Sequence, residues 1–141
     1  MERFEKDALY ELLRIALDDE RLPCSFSHKL TEESWDNLHT ECAKQLVTGV
    51  VYRAICRLPN DLQPPHKIVL RWALEMEAIK GQNKLLNAEA TRLTELFAAQ
   101  GYKTAVLKGP ANALLYPDPY VRQVGDIDLW VDGGRDLVFA L

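Results

Sequence analysis

The sequence predicts an α+β chain: a helical region over residues 1–100, followed by the first part of an α/β unit over residues 101–141. Three observations carry that expectation. Apolar residues recur every three or four positions over 2–17, 31–57 and 65–100, the spacing of one helical face. After Gly101 the period shortens toward two, first in Tyr102–Leu107 and again in Asp126–Asp132. Between those short strands, turn formers crowd Lys108-Gly109-Pro110 and the stretch Pro117–Gly125.

The first helix, 2–17, carries Phe4, Ala8, Leu9, Leu12, Leu13 and Ala16 on one face and ends at Asp18–Pro23. Thr31 offers an N-cap, with Glu32 and Glu33 in the first turn of a helix expected to run to residue 57. Its stripe is Trp35, Leu38, Cys42, Leu46, Val50 and Ala54. Pro64-Pro65 opens the third helix, 65–100, and Gly101 stops it, a length of about 50 Å. Its seam reads Val69, Trp72, Met76, Ile79, Asn83, Leu86, Ala90, Leu93 and Phe97. Two partners fit this seam. The chain's own helices, 2–17 and 31–57, are favoured, because few complementary charges flank the seam. The other is a homo-oligomer through 65–100, with Asn83 fixing the register.

Composition narrows the function classes. Seventeen Lys and Arg against 21 Asp and Glu give a net charge of −4. A chain that grips nucleic acid by its phosphates carries a basic excess, so nucleic acid is not indicated as a partner. The local exception is 102–125, where Lys103, Lys108 and Arg122 face Asp118 alone. No run approaches the ~18–20 apolar residues of a membrane span, and Met1–Asp7 lacks the basic start of a signal peptide. Cys24, Cys42 and Cys56 form no C-x-x-C pair, so free thiols in a reducing cytoplasm are expected.

Chemistry concentrates near the second strand. On a strand, Asp126, Asp128, Trp130 and Asp132 face one way, and Ile127, Leu129 and Val131 the other. Residues two apart lie roughly 7 Å apart at Cα, close enough for Asp126 and Asp128 to share one hard cation. Mg²⁺ takes one or two carboxylates and completes its shell with water and phosphate oxygens. Solvated carboxylates on an exposed strand are the plainer alternative. Lys108 beside Gly109 reads as a point charge for a phosphate, or as a solvated turn lysine. Arg122 reads equally as a phosphate clamp or as the counter-ion of Asp126 or Asp128.

Leu107-Lys-Gly-Pro-Ala-Asn-Ala-Leu-Leu-Tyr116, followed by Arg122-Gln-Val-Gly-Asp-Ile-Asp-Leu-Trp-Val131, resembles the DNA polymerase β-like nucleotidyltransferase superfamily. Within it, the bacterial group of uncharacterised nucleotidyltransferases is most similar, over about residues 104–132. The resemblance implies a mixed sheet with Asp126 and Asp128 as catalytic metal ligands for Mg²⁺ (or Mn²⁺). It implies Lys108, Gly109 and Arg122 toward the phosphates of a nucleoside triphosphate, with ATP expected and the acceptor unknown. Pro110 departs from the Gly-Ser or Gly-Gly of the superfamily turn and removes a hydroxyl and an N–H there. A third carboxylate belongs on a later strand, and the expectation is that 1–141 is the N-terminal piece of a longer enzyme, inactive alone. The alternative is a non-catalytic module of the same fold, serving interaction or regulation.

Other residues read more plainly. Tyr116 and Tyr120 pack the loop or frame a base, with packing favoured. Trp130 stacks on substrate or lies under a further part of the protein. Asp132 and Asp136 read as a strand end and a helix start. Cys24, His28, His39 and Cys42 have unsuitable spacing for zinc, and buried apolar cysteines are preferred.

Overall fold

The computed structural model describes residues 2–21, 26–123 and 125–133. Helix α1 spans Arg3–Leu17. It starts with a reciprocal cap in which the Glu2 N–H donates to the Glu5 carboxylate at 2.7 Å. Glu5 is buried and also accepts from Asn37 Nδ2 at 3.1 Å, which holds its carboxyl below the usual range. The far end of α1 is closed by two arginines. Arg57 donates to the carbonyls of Ile15, Asp18, Asp19 and Arg21, and Arg53 to the Ala16 carbonyl and the Asp19 carboxylate. Cations thus meet the orphan carbonyls and negative end of that helix.

The helix expected over 31–57 is two helices, α2 (Glu32–Lys44) and α3 (Thr48–Ile55). Thr31 caps α2 as read, its hydroxyl oxygen accepting from the Ser34 N–H at 3.2 Å. The break comes at Leu46, whose φ is +57°. Val47 N–H reaches Cys42 O at 2.9 Å and Leu46 N–H reaches Ala43 O at 3.3 Å. That pair of bonds is a Schellman stop with leucine in the left-handed position. The motif normally signals itself with glycine, so the apolar period ran on unbroken through Leu46.

Helix α4 spans His66–Ala99, 34 residues, close to the expected range. Pro65 is its cap, where the reading placed the prolines inside the first turn. Its end repeats the Schellman pattern with the expected glycine: Gly101 has φ +83°, and Tyr102 N–H bonds Phe97 O at 3.0 Å. Leu12, Ile15, Trp35, Leu38, Val51, Ile55 and Trp72 fill the core between the helices. α1 packs chiefly on α3, and α3 on α4, with α2 alongside. The expectation that 2–17 covers the α4 seam is therefore corrected, because α3 stands between them. The seam itself is internal but starts at Ile68, with Val69 only half-buried. Trp72, Met76, Ile79, Asn83 and Ala90 are buried as read, whereas Leu86, Leu93 and Phe97 are half-buried. This second half of α4 lies against the strand and short helix that follow.

Cys42 is buried, and desolvation pushes its thiol up to about 12, so it stays protonated at neutral pH. Cys56 is exposed, against the expectation that the cysteines are buried. Beyond Gly101, β1 (Thr104–Leu107), α5 (Gly109–Ala113), a 3₁₀ turn (Pro119–Val121) and β2 (Asp128–Val131) follow in order. The strands pair antiparallel, with Thr104 opposite Val131 and Leu107 opposite Asp128. Among the described residues no helix is long and apolar enough to cross a membrane.

Leu46 is 56% exposed, so its side chain contributes little burial while its backbone occupies a region that disfavours a Cβ. Leu46→Gly is expected to stabilise the fold by about 1 kcal/mol. Urea melts check it, and an unchanged or lower midpoint contradicts the reading.

Candidate functional site

The site is assembled where β1 ends and β2 begins. The register puts Asp128 directly across from Leu107, the last residue before the Lys108-Gly109 turn. Alternation along each strand places Ala105, Leu107, Asp128 and Trp130 on one face, and Thr104, Val106, Leu129 and Val131 on the other. Val131 is buried, while Ala105, Leu107 and Trp130 are exposed. The aspartate face is thus the open one, as the sequence pattern implied. Asp126, however, precedes the strand: β2 starts at Asp128, and Asp126 sits exposed in the lead-in. Asp132 closes the strand through its N–H, which donates to Lys103 O at 2.9 Å.

Gly109 is held close to that lead-in. A Cβ at Gly109 would lie 3.0 Å from the Asp126 carbonyl oxygen, tighter than a side chain ordinarily sits, so the missing side chain eases the approach of the turn to the aspartate loop. Lys108, just before it, adopts φ +49°, ψ −126°, and its ammonium lies 3.2 Å from Asp128 Oδ2. The structure therefore joins Lys108 to a carboxylate. Pro110 falls in the first turn of α5, where a missing N–H costs the helix nothing.

Arg122 takes neither of its expected positions on a carboxylate. Its Nη1 donates to the Gly109 carbonyl at 3.2 Å, and its guanidinium lies 6.0 Å from the centre of the Tyr116 ring. Tyr116 is thereby a packing partner, as favoured. The loop carrying Arg122 is fixed in turn from the helical region. Asn83, buried in the α4 seam, donates through Nδ2 to Tyr120 O at 2.7 Å and to Arg122 O at 2.8 Å. Asp118 caps the 3₁₀ turn, accepting from the Tyr120 N–H at 3.0 Å, and meets Lys80 of α4 at 3.3 Å. Val121 is buried against α3, where a Cβ on Gly49 would stand 2.3 Å from the Val121 carbonyl oxygen.

Sequence reasoning found Asn83 as a polar residue needing a partner but did not connect it to the loop. It missed Gly49 altogether. The available signal was a glycine inside an apolar helical stretch, which costs helix stability unless another backbone comes close.

The zinc reading finds no support in the described residues. No group of three or more His, Cys, Asp or Glu gathers there. His39 Nε2 instead lies 2.6 Å from Glu75 Oε2 and its ring meets Trp72 edge-on. Cys24 and Asp136 lie outside the described residues. A groove of about 390 Å³ between α4 and α5 is lined by Ala90, Thr94, Val106 and Leu114. It opens on the Val106 side of the sheet, away from the carboxylates.

An antiparallel pair of strands with an Asp-x-Asp at its open end, beside a lysine–glycine turn, is a nucleotidyltransferase-like arrangement. The chain belongs to the family described as uncharacterised nucleotidyltransferase, which matches residues 31–137. That match runs through α2, α3 and α4 as well as the strands, well beyond the 104–132 stretch where the sequence resemblance lies. No curated protein and no solved structure matches significantly.

Two changes test how the loop is held. Gly49→Ala normally favours a helix, but here the methyl meets a backbone carbonyl. The expected result is a loss of about 1–3 kcal/mol in a denaturant melt, and any gain contradicts the packing. Asn83→Ala leaves the Tyr120 and Arg122 carbonyls without their buried donor and is expected to cost about 1–3 kcal/mol. Hydrogen exchange should then speed up at Val121 before it does in α2; equal change in both places speaks against a local clamp.

Proposed function

We propose that the protein serves Mg²⁺- or Mn²⁺-dependent transfer of a nucleoside monophosphate from a nucleoside triphosphate, with ATP as the expected donor, inside a reducing cytoplasm. The observation that supports this reading is that the Lys108-Gly109 turn meets Asp128 through the Lys108 ammonium and sets its glycine beside the Asp126 main chain, at the start of an open strand face. Two carboxylates, Asp126 exposed and Asp128 half-buried, suit a hard cation that completes its shell with water and phosphate oxygens. Such an ion supplies charge neutralisation at the triphosphate.

In the reaction an acceptor hydroxyl oxygen bonds to the α-phosphorus. The bond from that phosphorus to the β-bridging oxygen breaks, pyrophosphate leaves, and the hydroxyl proton passes to solvent or a carboxylate. Asp126 and Asp128 would hold the ion. The Lys108–Asp128 pair lies in contact with solvent, where such pairs are weak, so the ammonium is available to turn toward phosphate oxygens. Arg122 keeps the Gly109 carbonyl turned onto its own guanidinium, which fixes the turn against which the phosphates would lie.

Calorimetric titration with ATP and Mn²⁺ tests the assignment. Wild type is expected to bind at least about tenfold more tightly than the Asp126→Asn/Asp128→Asn double variant, a difference of roughly 1.4 kcal/mol. Equal affinity removes the metal-site reading. Binding that survives in both, with no dependence on Mn²⁺, favours the non-catalytic module.

A further inference from the structure

Helix α4 carries a second apolar stripe that the fold does not use. Ile68, Trp72, Met76, Ile79, Asn83 and Ala90 are its buried residues. At about 100° per residue they span an arc of roughly 80°. Leu70, Leu74, Leu85 and Leu96 occupy a similar arc on the opposite side, and are 51%, 66%, 74% and 51% exposed. Leu74, Leu85 and Leu96 are spaced by eleven residues, three near-complete turns, so their stripe runs almost parallel to the helix axis. Exposed leucines are ordinary singly, but an aligned row along one helix marks an interaction surface.

Gly81 sits inside this stripe. A Cβ built on it meets nothing within 4 Å, in contrast to Gly49, whose neighbour forbids one. Among the described residues nothing requires a glycine there, and it weakens the middle of a 34-residue helix. The open space beside Gly81 leaves room for a second backbone to approach closely.

We propose that two copies of this chain pair through this outward face of α4, antiparallel, about a two-fold axis near residues 79 and 80. In that register Leu74 of one copy opposes Leu85 of the other, and Ala78 opposes Gly81. Both contacts occur twice, as an isologous interface requires. Small residues then lie at the crossing with leucines on either side. Two of the three charged meetings favour this register; the third sets Lys67 of one copy opposite Arg92 of the other at the ends of the stripe, like charges that are each paired within their own copy, to Glu32 and to Glu89. Glu77 and Lys84 are exposed and border the same side of the stripe, so antiparallel pairing brings each toward its opposite in the other copy. On the other border Arg71 comes near Glu89, although within the chain Arg71 bonds Asp36 and Glu89 bonds Arg92. This inference stands independently of the catalytic reading, since no residue of the Asp126–Asp128 site lies on the stripe.

Sedimentation equilibrium of the 141-residue chain is expected to show a monomer–dimer equilibrium with Kd on the order of 10 µM. Leu74→Lys/Leu85→Lys changes only exposed side chains. It should leave the circular dichroism and the melt of a dilute sample intact while abolishing the dimer. Gly81→Ala separates the two roles of that position: the dilute melt should rise, and dimerisation should weaken by roughly tenfold or more. For orientation, Leu74→Cys and Leu85→Cys chains lacking Cys24 and Cys56 are treated with a short bis-maleimide. The mixture should cross-link Leu74→Cys to Leu85→Cys, with little cross-linking of either alone. A monomer at all concentrations, or a dimer indifferent to the double lysine variant, overturns the proposal. Self-cross-linking of Leu74→Cys overturns the antiparallel register.

Discussion

The Asn83 side-chain amide is the interaction on which the arrangement of the site depends. It lies in the apolar seam of α4 yet donates outward, to two main-chain carbonyls of the loop that carries Arg122. Arg122 then bonds the Gly109 carbonyl, and Gly109 lies where a Cβ would crowd the Asp126 carbonyl oxygen. Three hydrogen bonds and one close approach thus run from the middle of a long helix to the lead-in of the aspartate strand. Each hydrogen bond is short-ranged and geometrically demanding, so the loop and turn beside the aspartate strand are held from the helical region as well as by the sheet. A two-stranded sheet alone would be marginal in water. Here its inner face rests on α4, and its loop is gripped by α3 and α4 together.

This explains what the helices contribute to a nucleotidyltransferase-like unit. Val121 belongs to the same buried cluster as Trp35, Leu38 and Trp72. Its 3₁₀ turn approaches α3 closely because position 49 is glycine. Lys80 adds an ion pair to Asp118, the residue that caps this turn. The family match beginning at residue 31 agrees with that division of labour, since it takes in the helices that hold the loop. α1 lies outside the match and on the far side of α3, secured by Arg53 and Arg57, whose donors fill the end of the helix.

Much of this was legible in residue spacing. The period of three and four along 65–100 gave α4 nearly to its ends, because thirty-odd residues of regular pattern and a terminal glycine leave little ambiguity. The Asp-x-Asp alternation gave the open and covered faces of β2. What stayed hidden had a local physical cause each time. The break between α2 and α3 depends on one leucine in a left-handed conformation, which no apolar pattern reports. The covering of α4 depends on which helix stands nearest, and amphipathic faces on α1 and α3 are equivalent until packed. Arg122 reads in sequence equally as a phosphate clamp or as a carboxylate counter-ion, but a guanidinium also seeks carbonyls, and it donates to that of Gly109.

Two described residues other than glycine occupy positive φ, and they differ in what their side chains do. At Leu46 the side chain is more than half exposed, so its burial offsets little of the conformational cost. At Lys108 the same kind of cost falls at the mouth of the site, in a conformation (φ +49°, ψ −126°) that suits glycine far better than lysine. A glycine there would make the turn more easily but would supply no charge. The lysine places an ammonium 3.2 Å from Asp128, on the open face, with three-quarters of its side chain still accessible. An exposed ion pair contributes too little to offset a strained backbone. The pair with Asp128 therefore does not offset the strain at Lys108, and the phosphate contact proposed above for its ammonium is what would account for a lysine in this position.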